Sequence, residues 1–335
     1  MKKTFVAVAL SSLFASVAAN AAVVYDKDGT KAEVYGRAQA NLYDVDGAHI
    51  GSTAKDTAAD STTLIGTGRL GLQGSTAVNS SLTAIGRGEW QVNAENSSTT
   101  NQFDARYLYL GVDAGQAGKV VIGQTDTSYY DSLVTTDIFD EWGDEAYASG
   151  RQEGQVIYSG AWNGFRASAG YQFADASQSL DNAYGASLGY TFAAGFGLGA
   201  GAESRSYDQD SSTLDKDNRW AVTATYGTVG APGLYAAALY NESKKSYFGT
   251  DADTTDKGWE LVTAYALKNN WTFSAGYNRY YTTGQGADVV SYYLVDAQYK
   301  FTSNFLTYAV YRFDDGKSAG VENKDALTLA AQYNF

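Results

Sequence analysis

Side chains in this chain change character at every second position. In residues 325–335, Leu327, Leu329, Ala331, Tyr333 and Phe335 share one face, while Thr328, Gln332 and Asn334 share the other. Trp271, Phe273, Ala275 and Tyr277 likewise oppose Thr272, Ser274, Gly276 and Asn278, and Phe165, Ala167, Ala169, Tyr171 and Phe173 oppose Arg166, Ser168, Gly170 and Gln172. Period two is the signature of a strand with unlike surroundings on its two sides. The pattern marks strands at residues 32–43, 62–74, 82–95, 104–112, 119–124, 155–162, 164–173, 182–192, 195–207, 219–228, 233–242, 258–267, 271–278, 289–301, 305–313 and 325–335, sixteen segments in all. Only 104–112 alternates badly, because Arg106 shares its face with Leu108 and Leu110.

A soluble β-sandwich and a membrane β-barrel both alternate in this way. Residues 82–95 help to separate them: Leu82, Ala84, Trp90 and Val92 face one side, and Arg87, Glu89, Gln91, Asn93 and Glu95 the other, a face richer in charge than a sandwich exterior requires. Aromatics also gather near strand ends (Tyr280, Tyr281, Tyr311, Phe313, Tyr333, Phe335), where the interfaces of a membrane would hold them. Connectors come in two lengths, short ones such as 114–118 and 302–304 and long polar ones at 44–61, 208–218, 243–257, 282–288 and 314–324. The expected fold class is therefore all-β: a transmembrane antiparallel barrel of 16 strands. With 36 Gly, 27 Tyr and one Pro, the composition suits many paired strands. No segment after the leader approaches the ~18 apolar residues of a membrane helix, which says nothing against a barrel.

Residues 1–21 read as a leader: Lys2 and Lys3, a short apolar run, then Ala19-Asn20-Ala21 as a cleavage site. A single domain is expected over 22–335. Losing the two leader lysines takes the formal charge from −13 to −15, which argues against nucleic acid as a partner. Stability has to come without disulfides, since the chain has no cysteine.

Catalytic chemistry has little to work with. His49 is the only imidazole, no phosphate-cradling Gly-rich loop occurs, and Asp208–Asp210 and Asp251–Asp253 lack the Gly and terminal Glu of a calcium loop. Neither an enzyme, a cofactor nor a metal is expected. What stands out is residues 124–153, which alternate poorly and carry Asp126, Asp131, Asp137, Asp140, Glu141, Asp144, Glu145 and Glu153 against Arg151 alone. Irregular segments of this length are usually functional. Two readings stay open: an insert folded into the barrel mouth, or an acidic loop in outside water. By strand parity Arg37, Arg69 and Arg87 face away from lipid, Arg106 less cleanly. They line a lumen, or they merely pair with acids along its wall.

These fragments, in their order, make the chain similar to the general diffusion porins of Gram-negative outer membranes: AAVVYDKDGTKAEVYG at 21–36, RLGLQG at 69–74, SSLTAIGRGEW at 80–90, ARYLYLG at 105–111, TDIFDEWGD at 136–144 and the closing YNF. The resemblance implies a 16-stranded homotrimer with an inward-folded third loop, residues 124–153, forming a constriction. It implies a basic wall of Arg37, Arg69, Arg106 and Arg151, and an acidic side of Asp137, Asp140 and Glu141 with Glu89 on the wall nearby. Partners would be outer-membrane lipid and lipopolysaccharide, the barrel-assembly machinery through Phe335, and small hydrophilic solutes and ions. The chain departs from the family where PEFGG often stands, having Asp140-Glu141-Trp142-Gly143-Asp144, and has Asp104 where relatives can carry lysine. Loop 96–102 is shorter than the one that latches subunits in relatives. The expected function is passive, cation-preferring diffusion. A sugar-selective channel, with Tyr129, Tyr130, Trp142 and Tyr147 along its path, and a non-conducting adhesin are the rivals.

Overall fold

The computed structural model describes residues 21–45, 61–93, 102–143, 150–249, 253–283, 288–315 and 325–335. Outside them lie most of the leader, His49, Asp144, Glu145, Tyr147, Asp251 and nearly all of loop 96–102. Seventeen strands make one antiparallel sheet: β1 (Ala22–Lys27), β2 (Thr30–Val45), β3 (Ser61–Ala77), β4 (Thr83–Val92), β5 (Phe103–Asp113), β6 (Lys119–Asp126), β7 (Arg151–Trp162), β8 (Phe165–Gln172), β9 (Leu180–Thr191), β10 (Phe196–Tyr207), β11 (Leu214–Tyr226), β12 (Gly233–Tyr247), β13 (Thr254–Ala266), β14 (Trp271–Thr282), β15 (Asp288–Lys300), β16 (Phe305–Asp314) and β17 (Ala326–Asn334). From β2 onward each strand pairs with the next, and β17 returns to β2 from Ala326↔Val45 to Asn334↔Arg37, closing the ring. β1 pairs with the other end of β2. β1 and β17 thus lie end to end along one edge of β2, and seventeen strands fill sixteen positions of a closed barrel. At the junction Gly36 and Phe335 exchange backbone hydrogen bonds at 2.9 and 3.0 Å. A Cβ at Gly36 would meet the Arg69 carbonyl and sit 2.6 Å from the Phe335 ring, so this closure needs glycine.

The sixteen expected segments fall on β2–β17; β1 is too short and too irregular in pattern to be read in advance. Closure satisfies the backbone between strands, as hydrocarbon demands. The burial pattern is inside-out, and it decides between barrel and sandwich. Leu110 is 68% exposed and Leu188 67%, whereas Glu260 and Asn278 are fully buried. A sandwich would bury the leucines.

The irregular β5 has a local cause. Trp90 pairs with Ala105 but Glu89 with Tyr107, so Arg106 is an extra residue, a β-bulge. Had alternation continued, Arg106 would have joined Leu108 and Leu110 on the outer face, at about 2–4 kcal/mol for a charge near mid-membrane. The bulge turns it inward to Glu89, 2.7 Å away.

Two of the expected long loops are corrected: β11 begins at Leu214, and β12 and β13 run to Tyr247 and from Thr254, well into 208–218 and 243–257. There polar and charged side chains fall on both faces, so alternation vanishes while pairing persists. Lys245–Asp256 at 2.5 Å, Lys244–Asp253 at 2.7 Å and Lys257–Glu242 at 3.1 Å lace this extension. Around the short-turn end runs an aromatic band, with Phe165–Tyr190, Tyr190–Phe192, Phe196–Tyr226, Trp271–Tyr299 and Tyr299–Phe301 in ring contact at 4.4–5.0 Å.

Candidate functional site

The acidic segment is shorter than 124–153. Thr125 and Asp126 still pair with Gln152 and Arg151, leaving residues 127–150 as the connection between β6 and β7, with one short helix, α1 (Tyr130–Leu133). Its described part meets the buried faces of the strands in sequence. Tyr129 and Leu133, both fully buried, pack on Ala221 of β11 and Leu239 of β12. The Tyr235 hydroxyl of β12 donates to the Thr135 carbonyl at 2.7 Å. Thr136 hydrogen-bonds Glu260 of β13. Phe139 covers Gly276 of β14, where a Cβ would lie 2.7 Å from its ring. Asp140 accepts from Gln298 of β15 at 2.6 Å, the Gly143 N–H donates to Tyr292 of β15 at 2.9 Å, and Glu141 accepts from Tyr308 of β16 and Asn41 of β2, each at 2.8 Å. Phe139 also joins Tyr292, Leu294, Tyr308 and Val310 in an apolar cluster. Tyr129 is spent on packing, and Trp142 is half-buried against two clusters.

The sector β3–β7 receives none of the contacts just described for 133–143; it carries Arg69, Arg87, Arg106 and Arg151, and Arg37 stands beside it on β2. Arg37 and Arg69 are direct register partners. Arg69 has Arg37, Arg106 and Arg151 within electrostatic reach and donates to Gln91 at 3.3 Å, while Arg37 donates to Gln332 at 3.2 Å. Arg151 lies over the Tyr107 ring, 5.4 Å from its centroid. Like charges facing each other across a ladder destabilise a sheet. A residue cluster that opposes folding in this way is a candidate for a working site.

Glu89 sits among these cations rather than across from them. It is 3% exposed and takes Arg87 at 2.6 Å, Arg106 at 2.7 Å and the Tyr35 hydroxyl at 3.0 Å. Arg87 is a member of the wall that the motif comparison passed over, although its parity was legible. So is Asp126, buried at the foot of the loop and accepting from Tyr107 at 2.7 Å. Among the described loop acids Asp137 is the exposed one; it accepts from Tyr130 at 3.3 Å. Burial pushes the carboxyls of Asp140 and Glu141 upward, and that of Asp131 up to about 6. A cavity of about 540 Å³ opens in the inner wall below the arginines, lined by Gln73, Ser75, Arg87, Tyr109, Lys119 and Ser159 among others.

Residues 6–319 match the family model described as Gram-negative porin. The chain belongs to the Gram-negative porin family. Outer membrane porin F of Escherichia coli O6:K15:H31 is 30% identical over 369 residues, covering the whole of both chains. Salmonella typhi OmpF, solved in complex with daunomycin, superposes with a TM-score of 0.78 at 22% identity over 94% of this chain and all of that one. A trimer form of Vibrio cholerae OmpT gives 0.71 at 20% identity, over 92% of this chain and all of the other. Membership makes this barrel an outer-membrane porin, a channel protein.

Proposed function

We propose that the chain, exported by cleavage after Ala21 and assembled as a homotrimer in outer-membrane lipid, lets ions and small hydrophilic solutes diffuse through a water-filled lumen with a preference for cations. In this reading residues 127–150 fold inward as the constriction, Asp137, Asp140 and Glu141 form its acidic side, and Arg37, Arg69, Arg106 and Arg151 with Glu89 form the wall they face. The observation that carries it is the ordered seating of residues 133–143 on β11 to β16 and β2, which leaves Arg69, Arg106 and Arg151, on β3, β5 and β7, across from the loop. Opposed rows of fixed charge in a low-dielectric passage set up a field across it. That field orients dipolar solutes and favours one sign of ion.

The outer face supports the trimer. Leu64, Leu72, Leu108, Leu110 and Ile122 make β3–β6 largely aliphatic, and among the described residues these strands lack the ring contacts that mark β8–β17. A sector without an interfacial aromatic band is suited to a neighbouring subunit. Lipopolysaccharide at the outer rim and the assembly machinery at Phe335 complete the expected partners.

Reversal potentials in planar bilayers under a KCl gradient test the proposal. The expected sign is cation-preferring, and the triple variant D137N/D140N/E141Q lowers the preference. An anion-preferring wild type overturns the selectivity; absence of single-channel steps overturns the channel itself.

A further inference from the structure

Two loop acids that look equivalent in the sequence have different surroundings. We infer that Glu141 is a positioning residue that pins the far end of the loop to the wall, and that Asp137 is the carboxylate passing ions meet. This rests on the proposed constriction and divides the labour within it.

Glu141 Oε1 accepts from four donors: Asn41 Nδ2 and the Tyr308 hydroxyl at 2.8 Å, the Tyr43 hydroxyl at 3.3 Å and Gln39 Nε2 at 3.4 Å. Gln39, Asn41, Tyr43 and Tyr308 are each no more than 9% exposed. They are wired together, Gln39 donating to Tyr308 at 2.6 Å and to Asn41 at 2.8 Å, and Asn41 to Tyr43 at 2.5 Å. Residues 39, 41 and 43 alternate along β2, so a single strand face presents three of the donors, and β16 supplies the fourth. The chain reverses just after the carboxylate through Trp142 at φ 57° and Gly143 at φ 96°. The Gly143 N–H then fixes on Tyr292. Charge-assisted bonds to converging dipoles are the strong kind, and a carboxylate so enclosed spends its field on the cradle. Asp137 is exposed, and its bond to Tyr130 stays within the loop; water and ions can reach this carboxylate, whereas the cradle encloses that of Glu141.

Three substitutions separate charge from attachment. E141Q keeps an acceptor oxygen for Asn41 and Tyr308 but removes the charge, E141A removes both, and D137N removes charge at the other site. In planar bilayers D137N lowers the K⁺/Cl⁻ permeability ratio by about twofold or more with single-channel conductance near wild type, because it alters field and not width. E141Q stays near the wild-type ratio. E141A raises open-channel noise and, in liposome swelling, admits oligosaccharides that wild type refuses. If E141A does not fold, the pair N41A/Y308F gives the same loosening. The inference is overturned if E141Q shifts the ratio as far as D137N, or if the loosened variants match E141Q in noise and exclusion. A wild type without cation preference would sink the selectivity reading, yet leave the comparison of noise and exclusion between E141Q and E141A intact.

Discussion

Neutralising Glu89 by E89Q is the sharpest test of the basic wall. Glu89 is in direct ion pairs with two of these arginines: Arg87 Nη2 lies 2.6 Å from Oε2 and Arg106 Nε 2.7 Å from Oε1. Tyr35 donates to Oε2 and accepts from Arg87 Nε at 2.6 Å. Removing one partner of a buried ion pair costs about 3–5 kcal/mol, mostly from the charge left behind. Two effects reduce that here. Glutamine still accepts a hydrogen bond, and the Arg106 side chain, 18% exposed, recovers some hydration from the lumen. The expected loss is therefore about 2–3 kcal/mol.

Reversible urea unfolding from lipid vesicles reads this loss directly. A cycle with R106Q identifies its source: the double variant should be less destabilised than the two singles sum to, by about 1–3 kcal/mol, because Arg106 is then no longer left without its carboxylate, although Arg87 still is. The same E89Q channel should lose cation preference, since the wall gains one net positive charge. A loss below about 0.5 kcal/mol, or additive singles, would show that the carboxylate is not paired in the membrane and that the bulge at Arg106 serves some other end.

The junction of the barrel ends gives a second test: G36A drives a Cβ into the Arg69 carbonyl and the Phe335 ring, so the folded, heat-modifiable band on gels should largely disappear. G71A evicts the Tyr35 ring from its place over Gly71 and should mimic Y35F in both stability and ion preference; a silent G71A would refute the packing of Tyr35. Selectivity should also follow pH. Asp131 titrates at about 6 because burial favours its neutral form, so its charge is present above that value and lost below it. Cation preference should fall from pH 7.5 to pH 5 with an inflection near 6 that D131N removes. The linked stability runs the other way, since a carboxyl raised by folding binds its proton more tightly in the folded state, and stability gained by protonation is lost as pH rises through 6.

How far these features could be read in advance depends on what each residue faces. Where one side meets hydrocarbon and the other water, as from Trp271 to Asn278, alternation reveals the strand and its orientation together. Where both sides are polar, as from Ser243 to Tyr247, the ladder leaves no pattern, and strands run further than the sequence indicates. Arg106 was ambiguous for a different reason. A bulge shifts parity by one residue, and only the pairing partners of Trp90 and Glu89 disclose it. The loop was legible in charge but not in contact. Nothing in TDIFDEWGD separates Glu141 from Asp137; the difference lies in Asn41, Tyr43 and Tyr308, about a hundred or more residues away in the chain.

The balance of charge around the passage then explains why single residues should matter so much. Five arginines, at 37, 69, 87, 106 and 151, face or flank six carboxylates, at 89, 126, 131, 137, 140 and 141. Formally this leaves a small negative excess, and burial works against it by raising the carboxyls of Asp131, Asp140 and Glu141. A passage so near electrical balance at its waist takes its preference from whichever charges reach the water. On the acidic side the exposed one is Asp137; on the basic side Arg87 and Arg106 are partly discharged against Glu89. The rest of the chain is strongly acidic, the whole sequence being formally −13, and biases the vestibules toward cations, over a distance limited by the Debye length of about 10 Å at 0.1 M salt. Cation preference should therefore weaken as salt rises. If it persisted undiminished at 1 M, where screening acts within about 3 Å, the preference would belong to direct contact at Asp137 and not to the field of the vestibules.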